Sequence, residues 1–356
     1  MDPRIRKLAQ IVVRYSLKVK PDTNVIISGG EEAREFILEL YKEIILRGAH
    51  PIVNISLNGM SDFFYKFANE KQINKFPDMR MHQVKNSQYY IGIDTSGNTR
   101  ELSNCNPKKI MQRKKVLKPI SDYIANEKDK IKRVVVGFPC SAMAQEAEMS
   151  LNEYENFVFR ACLRDWSKLS KRIKKICNVF EKGKRVYLFG ENIDLKFSIE
   201  GKNAVCDSGE ENMPGGEIFM APVRESLNGF IKFDYPAIYM DQEVSGIFLR
   251  FKDGKVIEAK AEKNENLLLE VLKTDENSSY IGEFGIGANP GITKYTKNLL
   301  FDEKISGTIH LALGMAYKEN GGGNDSAIHW DIVKDMRKGK IILDGKIVQE
   351  NGIWKI

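Results

Sequence analysis

Two rhythms of apolar residues divide the 356-residue chain. In the first half, short apolar runs alternate with helix-period segments. "NVIISGG" (24–30) is an apolar run closed by glycines. The segment after it, 31–48, carries Phe36, Leu38, Leu40, Ile44 and Leu46 in positions compatible with a long packed helix. "HPIVNISL" (50–57), "SQYYIGIDT" (87–95) and "IKRVVVGFP" (131–139) are further strand-like runs with helical stretches between them. Strands separated by helices pair in parallel and are covered on both faces, so this half predicts a helix-covered parallel sheet. A helical zone over 143–182 ends it. Beyond that zone apolar and polar residues alternate singly. In "DLKFSIEG" (194–201), Leu195, Phe197 and Ile199 oppose Lys196 and Ser198, the period of a half-buried strand. Asp253-Gly254, Asp344-Gly345 and Asn351-Gly352 interrupt strand-like runs as hairpin-turn residues do. The expected fold is an α/β N-terminal domain with a mainly parallel sheet over 1–182, followed by a β-rich α+β catalytic domain over 183–356.

Composition narrows the class. Hydrophobic residues make up 42% and charged residues 29%, the balance of a globular protein rather than a disordered one. The net charge of +7 is modest, and its densest runs, 106–118 and 167–176, read as solvated helix faces, so no nucleic-acid partner is implied. Five scattered cysteines, none spaced CxxC, argue against a disulfide framework and against a cysteine-ligated zinc site. No apolar run nears the roughly 18 residues that span a bilayer, and the N-terminus reads as an amphipathic helix rather than a signal peptide. The expectation is a cytoplasmic setting without a membrane partner. The "SGGEEAREF" turn lacks GxGxxG spacing, so α/β packing explains it better than a nucleotide site. HExxH, GxSxG and Walker A patterns are absent.

Chemistry concentrates in the β-rich half, which holds two of the four histidines, His310 and His329. If "AIHWD" is extended, His329 and Asp331 share a face while Trp330 turns the other way into packing. An imidazole beside a carboxylate is a pairing that divalent metals use. A structural histidine bonded to its neighbouring acid is the alternative. His310 lies in "GTIHLALGMAY" with apolar neighbours on both sides, where a polar ring needs a partner or a metal. Glu217 ("NMPGGEIFMAP") and Glu283 ("SYIGEFGIGANPG") are flanked by glycine and proline, and singly each reads as a loop carboxylate in solvent. Together, two histidines and three carboxylates from separate β-segments make up the donor set of a two-metal oxygen/nitrogen site. His50 and His82 have no acidic neighbour of note and read as structural or exposed.

The strings "GGEIFMAP", "GEFGIGANPGI", "GTIHLALGMAY" and "SAIHWD" resemble the active-site blocks of the M29 family of metallo-aminopeptidases, the thermophilic aminopeptidase T type. "PCSAMAQEAEMSLNEYENFVFRAC" (139–162) and "KPDTNVIISGGEEAREF" resemble its earlier segments, so the likeness runs along the whole chain. The resemblance implies an exopeptidase that removes the N-terminal residue from short peptides, usually as a homodimer, with two divalent ions, typically zinc or cobalt; histidine and carboxylate ligands accept manganese as well. Position by position it places metal ligands on Glu217, Glu283, His310, His329 and Asp331, and the active-site tyrosine on Tyr317. Glu217 or Glu283 would bridge the ions or carry the proton, with Glu243 an outside candidate for the base. Many members carry two consecutive acids where this chain has Gly216-Glu217. Tyr317 follows His310 by an odd number of positions, so a straight strand would part them, and convergence needs a bend at Gly314. The N-terminal half is expected to shape the cleft, restrict access to short peptides and help form the dimer. The other readings are a two-metal amidase or carboxypeptidase, and a non-catalytic metal-stabilised binding protein.

Overall fold

The structure, a computed structural model, describes residues 2–240 and 242–356. They fall into two compact units. The first runs to Leu163 and takes in Gly209–Pro214; the second holds Arg164–Ser208 and Gly215–Ile356. The sequence reading draws its boundary at 182/183, whereas here the helix Trp166–Glu181 groups with the second unit and a six-residue segment returns to the first.

The first unit is built on strands β1 (Asn24–Gly30), β2 (His50–Ser56), β3 (Tyr89–Asp94) and β4 (Lys132–Gly137). They lie in the order β2-β1-β3-β4, all parallel, and the short strand Asn212–Met213 extends the sheet beside β4. Val25, Ile26 and Ile27 of β1 are all buried, as a strand covered on both faces requires. The helix Arg34–Leu46 turns Phe36, Ile37, Leu40 and Ile44 inward. Leu38 and Leu46, expected in the packed face, are 49% and 63% exposed. Each lies two positions beyond an inward residue, about 200° round the helix, and so faces away.

The second unit carries the expected antiparallel strands. An eight-stranded sheet runs from Lys255–Lys260 at one edge to Ile353–Trp354 at the other. Its hairpins turn at Asp253-Gly254, Asp344-Gly345 and Asn351-Gly352, with both φ values positive in each pair, the geometry of a type I′ turn. A second sheet contains β5 (Val205–Asp207), β6 (Glu217–Met220), β7 (Ile281–Gly287), β8 (Thr308–Gly314) and β9 (His329–Asp335), in the order β9-β8-β7-β6-β5. One face of this second sheet is packed: Phe284 of β7 meets Phe197 of the eight-stranded sheet at 5.0 Å and Phe180 of the helix Trp166–Glu181 at 6.3 Å between ring centroids. That helix buries Leu169, Ile173, Ile176 and Phe180 and keeps its lysines in solvent, so the basic run 167–176 is a solvated face.

Candidate metal centre

Strand register brings the singled-out residues together. Residues directly opposed in an antiparallel pair share a face of the sheet. Glu217 opposes Gly287, His310 opposes Gly285, Glu283 opposes Ala312, Ala312 opposes Asp331, and Gly314 opposes His329. Because β7 alternates, Glu283, Gly285 and Gly287 lie on one face, the one opposite Phe284. All five expected ligands therefore project from a single face of β6 to β9. The floor between them is made of Gly285, Gly287 and Ala312. Gly285 has no room for more: a Cβ there would lie 1.9 Å from His310 Nε2.

The side chains converge. His310 is fully buried, with Nε2 3.3 Å from Glu283 Oε1 and 3.8 Å from Glu217 Oε2. His329 Nδ1–H donates to the Met315 carbonyl at 2.8 Å, which turns Nε2 toward Asp331 Oδ2 at 3.4 Å. Trp330 points away and packs on Tyr239. Glu217 and Glu283 are each 5% exposed, so neither is the solvated loop carboxylate that its flanking glycines suggest; both sit in strands. Gly314 has φ +94°, the bend that the odd spacing demands, and Tyr317 beyond it brings its ring to 4.7 Å from the His329 ring.

Ligand-type atoms of Glu283, His310 and Asp331 all lie within 4.8 Å of one another, and so do those of Glu217, Glu303 and His310. Two donor groups thus meet at one imidazole. Within the protein, His310 Nδ1 and Asp331 Oδ1 are buried without a hydrogen-bond partner. A carboxylate oxygen left unsatisfied among other donors is costly unless a cation completes it. The donor set, imidazole nitrogen and carboxylate oxygen without thiolate, suits a borderline divalent ion.

Burial and mutual charge perturb these groups. Burial opposes the charge on His310, but the Glu283 hydrogen bond and the surrounding carboxylates win and lift it to about 9. His329 follows the same balance, with Asp331 the main cause, and reaches about 10. Burial raises Glu217 and Glu283 above the usual carboxylate range. Burial also acts on Asp331, yet the His329 and His310 charges hold it below that range. In the pair of His310 and Glu283 the proton rests on the imidazole, since further carboxylates face it.

Three contributors escape the sequence reading. Lys304 is fully buried, its ammonium 3.1 Å from Glu217 Oε1 and paired also with Glu303. Glu303 belongs to the second donor group. Asn320, also fully buried, directs Nδ2 toward Glu283 Oε2 at 3.5 Å. The run "FDEK" shows charge but not burial, and nothing near it in sequence points to Glu217. Glu243 belongs to neither donor group; its carboxylate is paired with Lys263 at 3.0 Å and Lys297 at 3.4 Å. His50 and His82 are exposed on the first unit.

A model of the thermophilic metalloprotease (M29) family matches residues 1–354. Aminopeptidase AmpS of Bacillus subtilis (strain 168) is 26% identical over an alignment covering 99% of this chain and 98% of that one. Aminopeptidase T of Thermus thermophilus is 36% identical over 138 residues, 34% of this chain and 33% of its own. Among solved structures, wild-type AmpT from Thermus thermophilus matches with a TM-score of 0.86 at 22% identity, covering 99% of each chain. A 2,5-dihydroxypyridine dioxygenase from Pseudomonas putida KT2440 matches with a TM-score of 0.63 at 13% identity, covering 98% of this chain and 96% of that one. These two likenesses are of fold, and a fold shared with an oxygenase leaves function to be argued from the site. With the family model matching residues 1–354, this chain belongs to the thermophilic metalloprotease (M29) family.

Proposed function

We propose that the chain is a metallo-aminopeptidase that hydrolyses the N-terminal residue from short peptides, using two divalent ions. The observation that carries this reading is the single sheet face on which Glu217, Glu283, His310, His329 and Asp331 converge beside two buried, unpartnered donor atoms. One ion would be held by Glu217 and His310 with Glu303 beside them, the other by Glu283, His329 and Asp331. Glu283, within reach of His310 and Asp331, would lie between the two. Divalent ions bound there would lower the pKa of a water toward neutrality and polarise the scissile carbonyl.

The protein's own groups do the rest. The Met315 carbonyl sets the tautomer of His329 so that Nε2 faces the centre, the outer-shell device that orients ligating imidazoles. Lys304 and Asn320 hold Glu217 and Glu283 in place from outside. Glu217 and Glu283 are the carboxylates available to carry the proton; Glu243 is engaged elsewhere. Tyr317, 40% exposed and against His329, would donate its hydroxyl to the oxyanion of the tetrahedral intermediate. The ion would be zinc, cobalt or manganese. The assembly would be a homodimer, in the cytoplasm. No disulfide links the five cysteines, and among the described residues no helix is long and apolar enough to cross a membrane.

The test is release of the N-terminal residue from an unblocked peptide and its N-acetylated twin, with metal-stripped protein titrated with each ion. Activity returning near two equivalents on the unblocked peptide alone supports the reading. Equal cleavage of the twin indicates a two-metal amidase instead. Metal uptake without cleavage of either indicates a binding protein.

A further inference from the structure

Two thiols meet in the second unit, outside both donor groups. Cys177 lies in the helix Trp166–Glu181, and Cys206 is the middle residue of the edge strand β5. Cys177 and Glu181 stand about one helical turn apart and so share a side of the helix. Both hold Ala204, just before β5. The Cys177 thiol donates to the Ala204 carbonyl at 3.3 Å, and Glu181 Oε2 accepts from the Ala204 N–H at 2.5 Å. The Cys177 sulfur also shares a hydrogen bond with the Cys206 side chain. Cys177 is buried, whereas Cys206 is half-buried.

A disulfide requires Cα atoms within about 7 Å and Cβ atoms roughly 3.5–4.5 Å apart. Side chains already in hydrogen-bond contact, on a helix and a strand that pack together, need little movement to reach that geometry. The other cysteines are placed differently. Cys105 faces Asp62 Oδ1 at 3.8 Å, Cys140 donates to the Ser96 carbonyl at 3.0 Å, and Cys162 is fully buried. The two thiols of the pair are also unequal. The Cys206 hydrogen bond, and then burial, push the Cys177 thiol up. The more accessible sulfur, Cys206, is therefore where an oxidant enters.

We infer that Cys177 and Cys206 form a reversible oxidation site, closed to a disulfide by a hydroperoxide and reopened by a small-molecule thiol. In the first step the Cys206 sulfur attacks the peroxide. The O–O bond breaks, an S–O bond forms, and one water or alcohol leaves. The Cys177 sulfur then attacks the sulfenic sulfur of Cys206. An S–S bond forms, the S–O bond breaks, and the hydroxide leaves as water with the Cys177 proton. The thiol pair has lost two electrons and two protons, which the peroxide has taken up. Reduction runs through a mixed disulfide at Cys206, and two small thiols leave joined as their own disulfide. Such a transient bond is the kind that a reducing compartment permits. It pins β5 to the helix next to β6, where Asp207 opposes Glu217 and its carbonyl accepts from the Gly216 N–H at 2.8 Å.

Two measurements on the full chain carrying its metal test this. In the first, the folded protein is treated with hydrogen peroxide, quenched, alkylated in denaturant and digested without reductant, and its peptides are mapped by mass. The expected product is a linked pair of peptides containing Cys177 and Cys206, lighter than their sum by two hydrogens and parted by dithiothreitol. The second is the melting temperature before oxidation, after it, and after reduction. Closing a loop of about 30 residues in a unit of this size should raise Tm by roughly 5–15 °C, and dithiothreitol should return it. Cys206→Ser, at a half-buried position, should abolish the link and the rise, while Cys105→Ser should keep both. Mapping of the unaltered chain needs no variant, so a variant that fails to fold leaves that test intact. Oxidation of Cys206 to sulfinic acid with Cys177 still open to alkylation overturns the site. So does a link joining any other pair, or a rise in Tm that survives in Cys206→Ser.

Discussion

Replacing Gly285 by alanine adds one methyl group to the floor of the candidate metal centre, 1.9 Å from His310 Nε2. Gly285 has no positive φ, so the backbone accepts alanine and the whole effect is steric. Real Cβ contacts do not fall under 3.0 Å, so the imidazole must retreat by about 1.1 Å or the strands must part. His310 is fully buried, so its ring cannot retreat into solvent. Overpacking of this kind destabilises by roughly 1–3 kcal/mol, a fall in Tm of about 2–4 °C for each kcal/mol in a unit of this size. The larger effect is on function. A displacement of about 1 Å in a catalytic constellation can cost on the order of 10²-fold, and His310 stands in both donor groups. We expect Gly285→Ala to lose metal on dialysis and to lower kcat/KM for an unblocked leucyl peptide about 10²-fold. The assays are elemental analysis of the dialysed protein, steady-state kinetics and calorimetry. Gly345→Ala is the control: its φ of +80° makes alanine unfavourable, but nothing lies within 4 Å of the added carbon. It should lose about 1–2 kcal/mol of stability with metal content unchanged. Full metal content and unaltered kcat/KM in Gly285→Ala would refute the one-face arrangement.

Tyr317→Phe keeps the ring against His329 and removes only the hydroxyl, so metal content should stand while turnover falls by about 2.7–4 kcal/mol in barrier; normal turnover would remove this tyrosine from the reaction. In the metal-free protein His310 and His329 are raised from 6.5 to about 9 and about 10. Their stabilisation is therefore complete below the unfolded value and lost as pH climbs through the folded ones. The metal-free Tm should fall between pH 6.5 and 10, while metal affinity rises over the same interval as fewer protons must be displaced; a metal-free Tm that rises across this window would contradict the assigned ion pairs. Lys304→Met leaves Glu217 buried against Glu303 without its cation, and breaking such a pair costs about 3–5 kcal/mol. Denaturant titration of the metal-free variant checks this, and a loss under 1 kcal/mol would mean that Lys304 is incidental.

Local chemistry was legible in the chain wherever a short period carries the information. Alternation in "AIHWD" put His329 and Asp331 on one face, and the structure places His329 Nε2 3.4 Å from Asp331 Oδ2. Asp253-Gly254 marked its hairpin because few residue pairs tolerate two positive φ values. The odd spacing from His310 to Tyr317 demanded a bend, and Gly314 supplies it. Where several residues satisfy one period, the pattern cannot choose among them: Leu38 and Leu46 are as apolar as Phe36 and Ile44 but face solvent. The glycines around Glu217 and Glu283 suggested loops, yet they are strand residues whose missing side chains let neighbouring groups approach.

The pairing of distant strands had no local signature. That β7 lies between β6 and β8, with Gly285 opposite His310, follows from which register buries the most carbon and leaves the fewest polar atoms unpaired. Only with that register formed do Lys304, Glu303 and Asn320 meet the five expected ligands. The perturbed protonation of the centre depends on it equally, because burial and the charges of neighbours exist only in the assembled sheet. Sequence therefore determined residue type, period and turn chemistry, which act over a few bonds. Tertiary structure decided proximity and protonation, because these are set by contacts between segments far apart along the chain.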